Sequence, residues 1–157
     1  MIWAEQHRSV DAQIQIYQSK TLGFEIRYPK KWAVSRDGKG YGKDNPYYIG
    51  FGEPELASDN YDGEVGISIH RKSQSLESIA DQMGSQFGDK RKIERKRIKI
   101  GELQALRQRV TVPGLKDWDC RSVYLENTEW VFEIGNGCMT RSISEWKRIF
   151  PTFRFEN

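Results

Sequence analysis

The residues able to do chemistry are few and far apart along the chain. Cys120 and Cys138 are the only thiols, and His7 and His70 the only imidazoles, in 157 residues. A hydrolase needs a nucleophile, a base and a group that orients the base, and neither Gly-x-Ser-x-Gly nor His-Glu-x-x-His occurs. Cys120 follows Asp119 in an expected strand with no histidine near it in sequence, which leaves a thiol nucleophile without a base. The two cysteines and two histidines lack the spacing of a zinc site. Gly38-Lys39-Gly40-Tyr41-Gly42-Lys43 carries glycines but neither the spacing nor the strand-loop-helix setting of a phosphate loop, and reads as a plain connection. His70 ends a strand with the parity of Gly66 and Ser68, as an ordinary surface or half-covered histidine does; the alternative is a base or ligand. The sequence therefore predicts no catalytic residue, no metal and no cofactor.

Two other groups of residues could bind a partner. Lys90 to Lys99 is the one strong charge run. Read as a strand, it puts Lys92, Glu94 and Lys96 on one face with Ile98 and Ile100, and Ile93, Arg95 and Arg97 on the other. A solvated edge strand, whose lysines discourage edge-to-edge pairing, explains this split; the alternative is an anion-binding surface built from Lys92, Arg95, Lys96 and Arg97. No aromatic residue interrupts the run, so no nucleic-acid partner is expected. Tyr41, Tyr47, Tyr48 and Tyr61, in and beside two polar loops, are the expected contact surface for a protein partner, although packing against a sheet edge would also account for them.

The elements that must position these residues follow from periodicity. Phe24, Ile26 and Tyr28 alternate with Glu25 and Arg27, a strand with one buried and one wet face. Pro29 ends it, because proline has no amide hydrogen to donate, and Trp32 and Val34 lead into a sheet edge. Ala4 to Gln13 is read as a short helix, Ile14, Ile16 and Tyr17 as leading into an extended segment that ends at Ser19-Lys20-Thr21, Asp37 to Pro46 as a loop, Tyr47 to Phe51 as a strand and Glu53 to Gly63 as a second loop. Val65, Ile67 and Ile69 mark another strand. Ser75 caps a helix with its apolar stripe on Leu76, Ile79, Ala80, Met83 and Phe87, ended by Gly88. Ile93 to Val112 reads as a hairpin turning at Gly101-Glu102.

Asp119 to Glu126 and Glu129 to Gly135 form a second hairpin, apolar on both faces and therefore central, with a helix expected over each face. Closing it over Asn127-Thr128 sets Glu126 opposite Glu129 and Cys120 opposite Gly135, which predicts two small, unbridged thiols. A bridge between them would instead argue for an oxidising compartment. Ser142 and Glu145 have the spacing of a capping box for a helix with Ile143, Trp146, Ile149 and Phe150 inward. Thr152 to Phe155 closes the chain as a short strand.

The whole, with 37% hydrophobic, 30% charged and 12% aromatic residues and a formal charge of +3, is expected to fold as one monomeric domain over 1–157, its core about 17–155 and residues 1–13 an extension or short helix. No apolar run approaches the roughly 20 residues that span a bilayer. Met1 to Arg8 lacks the layout of a signal peptide, and the abrupt start is compatible with a leader or anchor removed ahead of it.

Gly23-Phe24-Glu25-Ile26-Arg27-Tyr28-Pro29-Lys30-Lys31-Trp32, the Ser75-Leu76-Glu77 helix start, the paired hairpins and the ending Ile149-Phe150-Pro151-Thr152-Phe153-Arg154-Phe155 together resemble the Mog/PsbP-like superfamily, from about Tyr17 to Phe155. That superfamily includes the extrinsic PsbP subunit of photosystem II, a nuclear-import protein that binds the Ran GTPase, and bacterial secreted domains and lipoproteins. The resemblance implies an α+β fold with a central antiparallel sheet sandwiched between helices, and a non-enzymatic binding or assembly role. Bacterial extracytoplasmic members are the most similar, so a PsbP-related secreted or anchored domain with an unknown protein partner is expected. A hydrolase or lyase assembled only in three dimensions is the alternative. Photosynthetic and Ran-binding roles do not carry over, since no residues here match them.

Overall fold

The computed structural model describes residues 5–9, 13–56 and 63–156. All its strand pairings are antiparallel and fall into two sheets. The smaller sheet contains β1 (Glu5–Ser9), β2 (Ile14–Ser19), β3 (Phe24–Pro29) and β11 (Arg154–Phe155), in that order across the sheet. The larger runs β4 (Ala33–Lys39), β5 (Tyr47–Gly52), β6 (Val65–Arg71), β10 (Trp130–Gly135), β9 (Asp119–Glu126), β8 (Leu103–Thr111) and β7 (Lys92–Ile100). The β9–β10 hairpin is central, as its two-sided apolar pattern requires, and the lysine-rich β7 is an edge.

β3 alternates buried Phe24, Ile26 and Tyr28 with more exposed Glu25 and Arg27. At its end the Trp32 amide donates to the Pro29 carbonyl at 3.0 Å, a tight corner that drops Trp32 into the core and delivers the chain to β4, an edge of the larger sheet. Between the sheets lie Phe24, Ile26, Tyr17 and Phe153 from one side and Phe51, Ile67, Ile69, Phe132 and Ile134 from the other. A helix, α2 (Ile143–Ile149), closes this layer at one side: Trp146 is fully buried and donates its indole N–H to the Ile134 carbonyl at 2.8 Å. On the outer face a short helix, α1 (Leu76–Asp81), packs Leu76, Ile79 and Ala80 on Leu106, Tyr124 and Val131.

Several expectations are corrected. The inner face of the large sheet is covered mainly by a second sheet, so a sheet between helices describes only part of the architecture. The expected N-terminal helix is a strand where described: its sparse apolar residues make no stripe, and Glu5–Ser9 instead pairs along β2 from Glu5↔Ser19 to Ser9↔Gln15. Asp37, Gly38 and Lys39 belong to β4 and not to the following loop. The Ser75-capped helix ends at Asp81, because Gly84 takes φ 71° and the chain continues as a 3₁₀ segment, Ser85–Lys90. Phe87 consequently leaves the stripe and packs edge-on to Trp118.

The capping box does not form. Ser142 already has helical backbone angles at the end of a 3₁₀ turn, its hydroxyl has no partner, and Glu145 pairs with Arg148.

The two cysteines are bridged. Their pairing depends on a register two residues away from the expected one. The Asn127 carboxamide accepts from the amides of both Glu129 and Trp130, at 2.9 and 2.8 Å, and this wider turn sets Glu126 opposite Val131 and Ser122 opposite Gly135. Cys120 then lies beyond the stretch of β9 that pairs with β10, beside the 136–138 loop. Buried Asn136 folds that loop back: its oxygen accepts from the amides of Arg121 and Cys138, and its nitrogen donates to the carbonyls of Asp119 and Met139.

Thiol titration of unfolded, unreduced protein should find no reactive thiol, and the C120A/C138A variant should lose about 3 kcal/mol in denaturant unfolding, the scale for closing a loop of this kind; a full complement of thiols would contradict the bridge. Phe153 stacks on Phe24 at 5.4 Å and packs on Phe132 at 5.5 Å with no exposed surface. F153A should therefore cost roughly 3–5 kcal/mol, and a loss below about 1 kcal/mol would mean that the C-terminal strand is not part of the core.

Candidate functional site

Strand parity sets the chemistry of the large sheet's outer face. Phe132 and Ile134 point into the inter-sheet core, so Val131, Glu133 and Gly135 of β10 point outward. The same alternation turns Gly66, Ser68 and His70 of β6 outward, and Ser122 and Tyr124 of β9. Gly50, Gly66, Gly135 and Ser122 are direct neighbours across four strands, and beside them run Tyr48, Ser68, Glu133 and Tyr124. One row is almost without side chains and α1 covers only the β8–β10 side, so a trough of about 510 Å³ remains open.

Its aromatic wall is built by a bulge and a glycine. The register of β4 and β5 shifts between Val34 and Arg36, which reverses the parity and sends Arg36 to the outer face opposite Gly50. There the guanidinium lies 4.9 Å from the Tyr41 ring centre and 5.5 Å from that of Tyr48, while the two rings meet edge to face at 5.3 Å. Tyr48 lies flat over Gly66: a β-carbon at Gly66 would sit 2.0 Å from the phenol oxygen.

Glu133 is the polar centre. One carboxylate oxygen is 2.9 Å from Nε2 of His70. The other accepts from the Tyr124 hydroxyl at 2.8 Å and, more weakly, from Ser122 at 3.4 Å. Burial, followed by the charge of Glu133, pushes the Tyr124 phenol well up from its ordinary value, which keeps it protonated as a donor. At one end of the trough Arg141 pairs with Glu64 at 3.2 Å; burial raises the Glu64 carboxyl despite the opposing charge of Arg141. A second cavity of about 280 Å³, walled by His70, Gly84 and Trp118, shares Met83, Glu133 and Cys138 with the trough. This arrangement can hold a polar or aromatic segment against a fixed floor; the Glu133 carboxylate is tied up within the protein. Among the described residues, no group of three His, Cys, Asp or Glu side chains is placed to hold a metal ion.

The structure brings together only part of the sequence-derived sets. Tyr41 and Tyr48 meet on the trough wall. Tyr47 points to the opposite face and packs on Trp130 at 5.5 Å, and Tyr61 lies outside the described residues. The four cations divide by parity: Arg95 and Arg97 turn to the α1 side and pair with Asp81 and Glu77, where the Arg97 hydrogen bond lowers the Glu77 carboxyl. Lys92 and Lys96 face the other way, so the four side chains do not converge on one face. His70 is half covered, as its parity predicts. Glu133, Ser68, Ser122 and Tyr124 were not singled out in the sequence. The available signal is one carboxylate set between the apolar residues Phe132 and Ile134 of β10.

No protein-family model and no curated protein matches the chain. Among solved structures it is similar to the solution structure of cyanobacterial PsbP (CyanoP) from Synechocystis sp. PCC 6803, at 14% identity, with 94% of this chain and 96% of that chain covered and a TM-score of 0.57. At that identity the likeness is one of fold, and the fold of this chain is PsbP-like.

Proposed function

We propose that this chain is a non-catalytic protein-binding or assembly module, a PsbP-related bacterial domain that acts outside the cytoplasm as a secreted or anchored protein. Its partner is held in the trough between the Tyr41–Tyr48 wall and α1. The observation that carries this reading is Glu133, whose two oxygens are engaged by His70, Tyr124 and Ser122. A carboxylate bound in this way shapes and polarises a floor; a general acid or base must exchange its proton with substrate. The Cys120–Cys138 bridge supports an oxidising compartment, and the PsbP-like fold is compatible with this role.

Tagged protein should capture one stoichiometric protein from membrane and secreted fractions of the source organism, read by mass spectrometry. S68R, which fills the trough floor, and Y41A, which removes an exposed ring from its wall, should each reduce that capture by about tenfold or more, the effect of losing a central contact. Unchanged capture by both variants, each with a wild-type melting temperature, would move the binding surface elsewhere. Turnover abolished by a single change at His70 or Cys120 would replace the reading with an enzymatic one.

A further inference from the structure

The inner face of β7, β8 and β9 extends past the smaller sheet and carries five cations, Lys92, Lys96, Arg107, Arg109 and Arg121, against two carboxylates, Glu94 and Asp119. Register sets like charges directly opposite one another twice: Arg109 faces Arg121 and Lys96 faces Arg107. Like charges in that position repel. The first pair is bridged by the protein itself. Asp119 accepts from Arg109 at 3.2 and 3.1 Å and from Arg121 at 2.9 and 3.3 Å, one carboxylate held by two guanidinium forks. Burial would raise its carboxyl, but the two arginines more than offset this and hold it below the usual aspartate range.

The second pair, on β7 and β8 with Arg107 two residues from Arg109 along β8, has no such bridge. Both oxygens of Glu94 face elsewhere, toward Lys92 at 3.6 Å and Arg109 at 3.7 Å. Among the described residues Lys96 and Arg107 have no carboxylate partner. An edge lysine discourages strand pairing, which accounts for Lys96. It does not account for Arg107, one strand further in. Arg107 is also held in place: its guanidinium stacks 5.4 Å from the Trp146 ring centre and 5.8 Å from Phe150. Stacking uses the flat face of the group and leaves its N–H edge available to a planar or tetrahedral oxyanion. A depression of about 200 Å³ opens among Glu94, Arg95, Lys96, Arg107, Arg109 and Arg121, with the Arg95 side chain turned to the other face and paired with Asp81, and it has room for a small group and not for a polymer.

We infer that Lys96 and Arg107 form a binding site for a phosphate dianion, free or as a monoester, which takes toward them the place that Asp119 takes toward Arg109 and Arg121. Two uncompensated cations match a dianion; a monocarboxylate would leave one charge unbalanced. The Arg107 fork receives two phosphate oxygens and the Lys96 ammonium a third. The site lies on the face opposite the trough and does not depend on the role proposed for the trough.

The test is a titration of isotope-labelled protein with inorganic phosphate near neutral pH, following backbone amide resonances. Saturable shifts centred on Lys96, Arg107 and Arg109 are expected. K96Q and R107Q should each weaken binding by about fivefold or more. R97Q, on the same strand with the opposite parity, should change it by less than about twofold. K96Q keeps the test decisive if R107Q disturbs the Trp146 stack. A matching response to glycerol phosphate would assign a monoester ligand, and a response to inorganic phosphate alone would assign the free anion. Shifts that never saturate, equal weakening by R97Q, an unaffected K96Q, or acetate binding as tightly as phosphate would each overturn the proposal.

Discussion

The contact on which the rest of this structure depends is the meeting of Phe24, Phe132 and Phe153 between the two sheets, with ring centres 5.4 to 5.5 Å apart. Phe24 comes from the start of the chain, Phe132 from the centre of the large sheet and Phe153 from the end. Their packing joins three regions that no local interaction connects. It also settles parity: with Phe132 inward, Glu133 has to point outward, and each side chain in register with it on the neighbouring strands takes the same direction. The outer face thus receives a carboxylate, an imidazole and two serines as a consequence of how the core is filled.

Once that face is set, the shortness of α1 decides what is left open. Six helical residues cover Leu106, Gln108, Tyr124 and Val131. The remaining outer surface has glycines where larger side chains would have closed it, and the bulge in β4 adds Arg36 as the support of a tyrosine wall. The polar cluster around Glu133 is satisfied by neighbours on two adjacent strands, which makes it rigid; a buried carboxylate without those partners would be costly. A rigid, concave, partly polar face is suited to recognition.

Charge is separated by the same geometry. Along β7, alternate cations go to opposite faces. Arg95 and Arg97, on the α1 side, meet acids supplied by that helix, and Lys96, on the other side, faces Arg107 of β8. The crowding of cations there is relieved at one step by Asp119 and not at the next. A net charge of only +3 conceals this, because the separation arises from strand parity and not from composition.

By itself the sequence determined the period-two strands, the Pro29 corner, the Ser75 cap, the central place of the β9–β10 hairpin and the half-covered His70, since each follows from side-chain alternation or from one residue's backbone chemistry. Tertiary structure decided the rest. Asn127 widens a turn by two residues, and with that register and the fold of Asn136 the cysteines come together; neither effect appears in the spacing of Cys120 and Cys138. The Ser142 hydroxyl has the pattern of a cap but a backbone already helical. Tyr47 and Tyr48 adjoin in sequence and lie on opposite faces, so only pairing across strands selects which one joins the trough. Glu133, Ser68 and Ser122 become a site for the same reason: their proximity is a property of register between strands distant in sequence, and register is set by how the aromatic core packs.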